Sequence, residues 1–314
     1  MMHQADGKLV LLLGVTASGK SAAALELAER LNAEIVSIDS MQVYRRMDIG
    51  TAKATLEERA RVPHHLIDVV DPWESFSAAR FTELADAAIR DIQSRGRTPL
   101  VVAGTPLYLM SLMFGMFDGP SADAAFRKQL RKRAEEGGNA SLHVELGRVD
   151  PAAADRIHPN DYKRIERALE VYAVTGRPLS EQQVQWVSGV LRYPSNVVGI
   201  RREKEDASRR INRRVLQIVE QGLPDEVLSL LADPRGISEQ ARQAVGYTEM
   251  IEHIEGRCAM DEAVERIKIN TRRLAKHQRT WFRKFTMTRW VDVEANESLS
   301  DTCAKLGNAI QCAP

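Results

Sequence analysis

Residues 14–21 read Gly-Val-Thr-Ala-Ser-Gly-Lys-Ser, the G-x-x-x-x-G-K-[ST] pattern of a phosphate-binding loop. An apolar run, Leu9 to Leu13, precedes it. An alanine-rich amphipathic segment with Leu25, Ala28 and Leu31 on one face follows. A buried strand, a loop and a helix in that order are the context in which the pattern has physical meaning. The glycines let successive N–H groups converge on an anion, the helix N-terminus adds a partial positive charge, and Lys20 adds a full one. Gly14, Val15, Thr16, Ala17, Ser18, Gly19, Lys20 and Ser21 are therefore the expected diphosphate- or nucleotide-binding residues, with the Ser21 hydroxyl as a ligand for Mg2+. The loop alone does not specify which phosphate compound is bound.

The pattern continues as strands separated by helices. Glu34 to Ser40 reads as a second buried strand ending in a carboxylate, Asp39. Ser77 to Arg95 reads as a helix with Phe81, Leu84, Ala88 and Ile92 on one stripe, and Pro99 to Thr105 as a third buried strand. Such alternation predicts an α/β fold, a P-loop NTPase-like parallel sheet flanked by helices. Ligands sit beyond the carboxyl ends of such strands, so Asp39 is expected to face the loop's crevice. Its alternative is a turn cap. A motor ATPase or GTPase would end the third strand in an Asp for magnesium. Here that strand ends in Ala103-Gly104-Thr105. An acid on the preceding strand instead suits deprotonation of an acceptor beside a bound phosphate, hence group transfer.

Residues 48–72 read as loops with a short strand. His64 and His65 are adjacent on an extended segment and so face opposite ways, which disfavours a shared metal ion. Beyond a break at 118–121, residues 118–182 look all-helical and predict an insertion into a core formed by 1–117 and 183–314. A helix introduced by His158-Pro159-Asn160-Asp161 carries Tyr162, Ile165, Leu169 and Tyr172 on its apolar face and Lys163, Arg164 and Arg167 opposite. Further on, Arg210 and Arg214 stand one helical turn apart and could grip one anion. The formal net charge is only +1, but from Arg266 to Arg289 there is no Asp or Glu and much Lys and Arg. Arg272, Lys276, Arg279 and Arg283 fall on one helical face. A single-sign stripe repels itself and implies a polyanionic partner, with nucleic acid first in line. Cys258, Cys303 and Cys312 are few, odd in number and without C-x-x-C spacing, which suits a reducing cytosol. No run approaches membrane-spanning length, so a cytoplasmic protein is expected.

Nine stretches taken in order resemble the tRNA dimethylallyltransferases, also called tRNA isopentenyltransferases. They are GVTASGKS (14–21), DSMQVYR (39–45), GTAK (50–53), HHLID (64–68), FSAARF (76–81), AGTPLY (103–108), HPNDYKRIERALEV (158–171), QAVGY (243–247) and TRRLAKHQRTWFRKF (271–285). Val15, Ser21, Ala103 and Pro106 depart from the family's usual residues. No Cys/His zinc-finger pattern follows, so the resemblance is to the bacterial type. The resemblance implies transfer of a dimethylallyl group from dimethylallyl diphosphate to the exocyclic amine of the adenosine next to the anticodon, at position 37. The tRNAs would be those reading codons that begin with U, and diphosphate would be released. It implies a monomer with Mg2+, tRNA and dimethylallyl diphosphate as its partners.

Residue by residue, the resemblance makes Asp39 the base, Thr105 a contact to the flipped nucleotide, and Arg214 a partner of the departing diphosphate beside the amides of residues 16–21. It also implies tRNA contacts by Asp39, Ser40, Met41, Gln42 and Thr105, by Arg127, and by Lys163, Arg164, Ile165, Glu166 and Arg167. Further contacts would come from Arg242, Gln243, Ala244, Val245, Gly246 and Tyr247, and from Lys276, His277, Gln278, Arg279, Thr280, Trp281, Phe282 and Arg283. Two rivals share part of the pattern. A small-molecule kinase would share the loop and Asp39 but has no use for the basic stripe. A non-catalytic RNA-binding module would have no use for Lys20, Ser21 and Asp39.

Overall fold

A computed structural model of the protein describes residues 8–117, 119–120, 123–183, 186 and 190–311. The chain divides into two compact units, one of Met1–Met113 with Tyr193–Pro314, the other of Phe114–Arg192. Part of the expected break, Asp118 and Ser121, lies outside the described residues, as does Cys312. Cys258 and Cys303 are free thiols.

The first unit is built on six strands: β1 Leu9–Gly14, β2 Ala33–Ile38, β3 His64–His65, β4 Thr98–Ala103, β5 Ser195–Arg201 and β6 Arg289–Asp292. Their order is β3-β2-β4-β1-β5-β6, and every pair is parallel. β1 lies between β4 and β5, with Leu11 opposite both Val101 and Val197. A strand covered on both faces has no polar side to show, which is why β1 reads as an unbroken apolar run. One face packs on the helix Lys20–Arg30 through Ala23, Ala24, Leu27 and Ala28, with Leu306 and Ile310 of the helix Leu299–Gln311 in the same cluster.

Two local readings are revised by the packing. The helix Ala78–Ser94 buries Phe81, Ala85, Ile89 and Ile92, whereas Leu84 and Ala88 are only half-buried. Both stripes fit a 3.6-residue period, and the sheet selects the i, i+4 row. Within 48–72 a helix forms at Leu56–Arg61, closed by a capping box in which Thr55 and Glu58 exchange hydrogen bonds. The T-x-x-E signature for it was present in the sequence. The His pair forms β3, the expected short strand, and its two rings have separate partners. His64 Nδ1 lies 2.7 Å from Val62 O, and His65 Nε2 lies 2.7 Å from a carboxylate oxygen of buried Glu34. Arg95 and Arg97 also grip Glu34, and hydrogen bonding from Arg95 above all holds its carboxyl down to about 2.

The segment 41–70 is organised by two polar knots. Lys53 Nζ donates to Tyr44 O at 2.7 Å, Asp48 Oδ1 at 2.5 Å and Asp68 Oδ1 at 2.7 Å, while Arg59 takes the other oxygen of Asp68. Glu226 accepts the backbone N–H groups of Asp48, Ile49 and Gly50, and the Tyr247 hydroxyl at 2.5 Å. Gly50 lies flat on the Tyr247 ring: a Cβ there would stand 2.4 Å from Cε2. Gly50→Ala is therefore expected to destabilise the protein by about 1–3 kcal/mol, the usual cost of overpacking. A shift of the urea unfolding midpoint at constant slope checks it.

The second unit has its own apolar core, including Leu130, Leu142, Leu146, Ile165, Ala168 and Leu169. Its long helix, Ala124–Val149, kinks at Gly138, where φ is 73° and ψ 160°. The helix Tyr162–Thr175 is capped by Asp161 and stopped at Gly176.

Candidate active site

β1 delivers the chain to the loop at Gly14, whose position leaves no room for a side chain because a Cβ would stand 2.6 Å from Ser18 Oγ. Ala17 and Gly19 both take positive φ, 60° and 96°. The loop's carbonyls are pinned from a distant part of the chain. Arg210 Nε donates to Ala17 O at 3.0 Å, and Arg202 Nε to Ser18 O at 2.8 Å. The N–H groups of Gly19, Lys20 and Ser21, at the start of the helix Lys20–Arg30, have no carbonyl one turn back within it and form the anion-facing end.

Two of the loop's expected phosphate donors are otherwise engaged. Ser18 N–H donates to Val15 O at 3.1 Å, and Thr16 N–H to the Gln278 side-chain oxygen at 2.8 Å. A tight turn consumes the first, and a helix arriving from the far end of the chain captures the second.

Two cavities adjoin the loop, and Lys20, Ser21 and Arg214 line both. One, of about 240 Å³, is walled by the loop, Arg210, Arg213, Arg214 and Gln217 and is strongly cationic. The other, of about 130 Å³, adds Asp39, Gln42, Thr51, Gly104, Tyr247, Leu274 and Gln278. Burial foremost, then the charge of Arg214, pull the Lys20 ammonium down to about 8, while Asp39 opposes the shift. Burial also lowers Arg214, again opposed by Asp39. Burial disfavours a charged group, and beside Lys20 a neighbouring like charge adds to it, so both shifts run downward.

Asp39 both lines the second cavity and caps a turn. Its Oδ1 accepts from Met41 N–H at 2.9 Å and Gln42 N–H at 3.3 Å, forming the turn after β2. Its Oδ2 lies against Gly104, where a Cβ would approach to 3.0 Å. Thr105 closes the turn after β4. Its N–H donates to Ile38 O at 2.9 Å, and its Oγ1 accepts Ser40 N–H at 2.9 Å. Pro106 begins the helix Pro106–Phe114, a position where its missing N–H costs nothing, and Ala103 is fully buried as the last residue of β4. Gln42 reaches Ser37 and Thr51 O, and Arg214 approaches Thr51 O at 3.5 Å. Among the described residues no group of three or more His, Cys, Asp or Glu is placed to hold a metal. Ser21, Thr16 and Asp39 place hard oxygen atoms beside the loop, the ligand type that Mg2+ takes.

The residues expected to touch RNA divide by exposure. Lys163, Arg164, Gln243, Lys276, His277, Thr280 and Arg283 are exposed; Arg167, Arg242, Val245, Arg279 and Trp281 are half-buried. Side chains of Ile165, Glu166, Ala244, Tyr247, Gln278 and Phe282 are buried. Ile165, Glu166 and Phe282 lie on helix faces turned to the core, whereas Ala244, Tyr247 and Gln278 are also part of the wall of the cavity beside the loop. Gly246 takes a φ of 96° and its N–H is held by Glu249. Arg127 forms a two-point pair with Glu170, which also takes Arg167. Arg272 is partly tied down, its guanidinium donating to Asn212 Oδ1 at 2.5 Å.

This assembly of loop, strand-end acid and basic helix matches known proteins along nearly its whole length. The family described as IPP transferase matches residues 42–285, and that described as isopentenyl transferase matches 7–68. The chain belongs to the IPP transferase family. The tRNA dimethylallyltransferase of Geobacter sulfurreducens is 47% identical over 299 residues, covering 95% of this chain and 96% of that protein. The same-named protein of Shouchella clausii is 45% identical, with 92% and 93% covered. Among solved structures, the tRNA isopentenylpyrophosphate transferase of Bacillus halodurans superposes with a TM-score of 0.70 at 41% identity, covering 98% of this chain and 97% of that one. A eukaryotic dimethylallyltransferase described as acting on tRNA gives 0.77 at 27% identity, with 98% and 80% covered. The P-loop-like parallel sheet expected from the strand–helix alternation is the fold of this family.

Proposed function

We propose that this chain transfers the dimethylallyl group of dimethylallyl diphosphate to the exocyclic amine of adenosine 37 in tRNAs that read codons beginning with U. The observation that carries the reading is the pairing of Asp39 with Lys20, Ser21 and Arg214 in one cavity, in a member of the IPP transferase family. In the reaction the amine nitrogen bonds to the allylic carbon while that carbon's bond to the diphosphate oxygen breaks. The electron pair leaves with diphosphate. The amine proton passes to the Asp39 carboxylate. The adenine lone pair is delocalised into the ring, so a positioned base has work to do.

Lys20, Arg214 and the loop amides supply positive charge where negative charge develops. Ser21 would hold Mg2+, which when bound neutralises charge on the diphosphate oxygens. The target base leaves the anticodon stack to reach this cavity, beside the Thr105 turn. The basic face through Lys276, Arg279 and Arg283 would bind the anticodon stem-loop, and the exposed Lys163 and Arg164 would also contact tRNA. Among the described residues no helix is long and apolar enough to cross a membrane. The reading places the enzyme in the cytoplasm as a monomer.

The test is label transfer from dimethylallyl diphosphate to bulk tRNA with magnesium and without ATP. Label in tRNA supports the reading. No label, alongside ATP turnover stimulated by a small acceptor, would replace it with a kinase.

A further inference from the structure

Gln278 sits on the helix Met260–Phe282, whose other faces expose Lys276, His277 and Thr280, yet its own side chain is only 4% exposed. It spends both ends of its amide on backbone. Its oxygen accepts Thr16 N–H at 2.8 Å, and its Nε2 donates to Gly104 O at 2.6 Å. The orientation is forced, since an N–H needs an acceptor and a carbonyl a donor. Thr16 opens the loop that grips the diphosphate. Gly104 carries the turn that seats Thr105 and lies against Asp39 Oδ2. No hydrogen-bonded ladder joins those two points directly: β1 and β4 pair only as far as Leu13 and Ala103. Just beyond the sheet, the Gln278 side chain bridges Thr16 N–H and Gly104 O.

We propose that Gln278 is a positioning residue for transfer. It fixes the phosphate loop against the Asp39–Thr105 turn and joins both to the helix that carries the basic stripe. The inference rests on the transfer reaction proposed above. It gives Gln278 a place in the protein's own framework, at the wall of the cavity and away from the exposed basic face. Bringing two reactants into line is worth a great deal, and a displacement of about 1 Å can cost about 100-fold in rate.

The experiment compares wild type with Gln278→Met, which keeps the shape and loses both hydrogen bonds, and with Gln278→Glu. Single-turnover transfer, tRNA affinity, thermal midpoint and Thr16 amide hydrogen exchange are measured for each. For Gln278→Met the expected result is a transfer rate lower by about 100-fold. The tRNA affinity should stay within about threefold, and Thr16 should exchange faster. Gln278→Glu carries its own signature. The ionised carboxylate faces the Gly104 carbonyl without a proton to donate, whereas the protonated acid reproduces the glutamine's donor and acceptor. Its rate relative to wild type should therefore rise as pH falls from 8 to 6.

Unchanged transfer by Gln278→Met, with wild type active, would overturn the role of Gln278 alone. A large loss of tRNA affinity at an unchanged bound rate would overturn it in favour of a direct RNA contact. A flat Gln278→Glu ratio across pH would also count against it. Wild type that moves no label to tRNA would instead sink the reaction itself. Thr16 exchange, which needs no turnover, would still report whether the hydrogen bond exists.

Discussion

Asp39→Asn should lower the single-turnover rate of prenyl transfer by about 10²–10⁴-fold, the usual worth of a positioned base, with tRNA affinity nearly unchanged. Asparagine is the informative substitution because Asp39 does two things at once. Its Oδ1 caps the Met41 and Gln42 amides, and its Oδ2 lies by Gly104 at the cavity. The asparagine side-chain oxygen can still cap the turn, but its amide cannot take the amine proton. Asp39→Ala removes both roles and should add a loss of stability of about 1 kcal/mol from the unmade cap. If Asp39→Asn transferred at the wild-type rate while Asp39→Ala did not, Asp39 would be a structural cap and the base would lie elsewhere.

Lys20→Ala should cut transfer by about 10²–10³-fold, comparable to removing one preorganised donor from a developing anion. A pH signature accompanies it. In the free enzyme burial and Arg214 bring Lys20 to about 8. A bound anion favours the charged ammonium and raises that value again. Below pH 8 the site therefore accepts diphosphate with its charge in place. Above pH 8 binding must take up a proton, and affinity should fall by about tenfold per pH unit. Calorimetric binding of inorganic diphosphate between pH 7 and 9.5 reads this directly. Lys20→Arg, which stays charged throughout, subtracts the ligand's own ionisation. Identical pH profiles for wild type and Lys20→Arg would remove Lys20 as the titrating group.

The parts of this site that were legible in the sequence are those encoded within a few residues. The loop is a contiguous pattern whose glycines and lysine act together. Asp39 stands at the end of an apolar run that can only be a buried strand. Arg210 and Arg214 share a helical face, as do Lys276, Arg279 and Arg283. The turn after β4 was marked by Ala-Gly-Thr-Pro. The stripe on Ala78–Ser94 was legible only to within one helical row, because period alone does not say which row the sheet will cover.

The residues that hold those parts together were not legible. Glu226 lies 178 positions from Asp48, Gln278 lies 262 from Thr16, and Arg202 lies 184 from Ser18, yet each is hydrogen-bonded to its partner. Gln278 belongs to the stretch that carries the basic stripe, and a motif cannot tell the face turned to solvent from the face turned to the core. Gly50 and Tyr247 belonged to separate motifs until the fold laid one upon the other. Local patterns carry the chemical parts: a phosphate grip, a carboxylate near it and a basic helix. Which side chains brace those parts against one another emerges from packing. A hydrogen bond or a ring contact depends on distances of a few ångströms, and for residues far apart in the chain those distances exist only after the sheet and helices have packed.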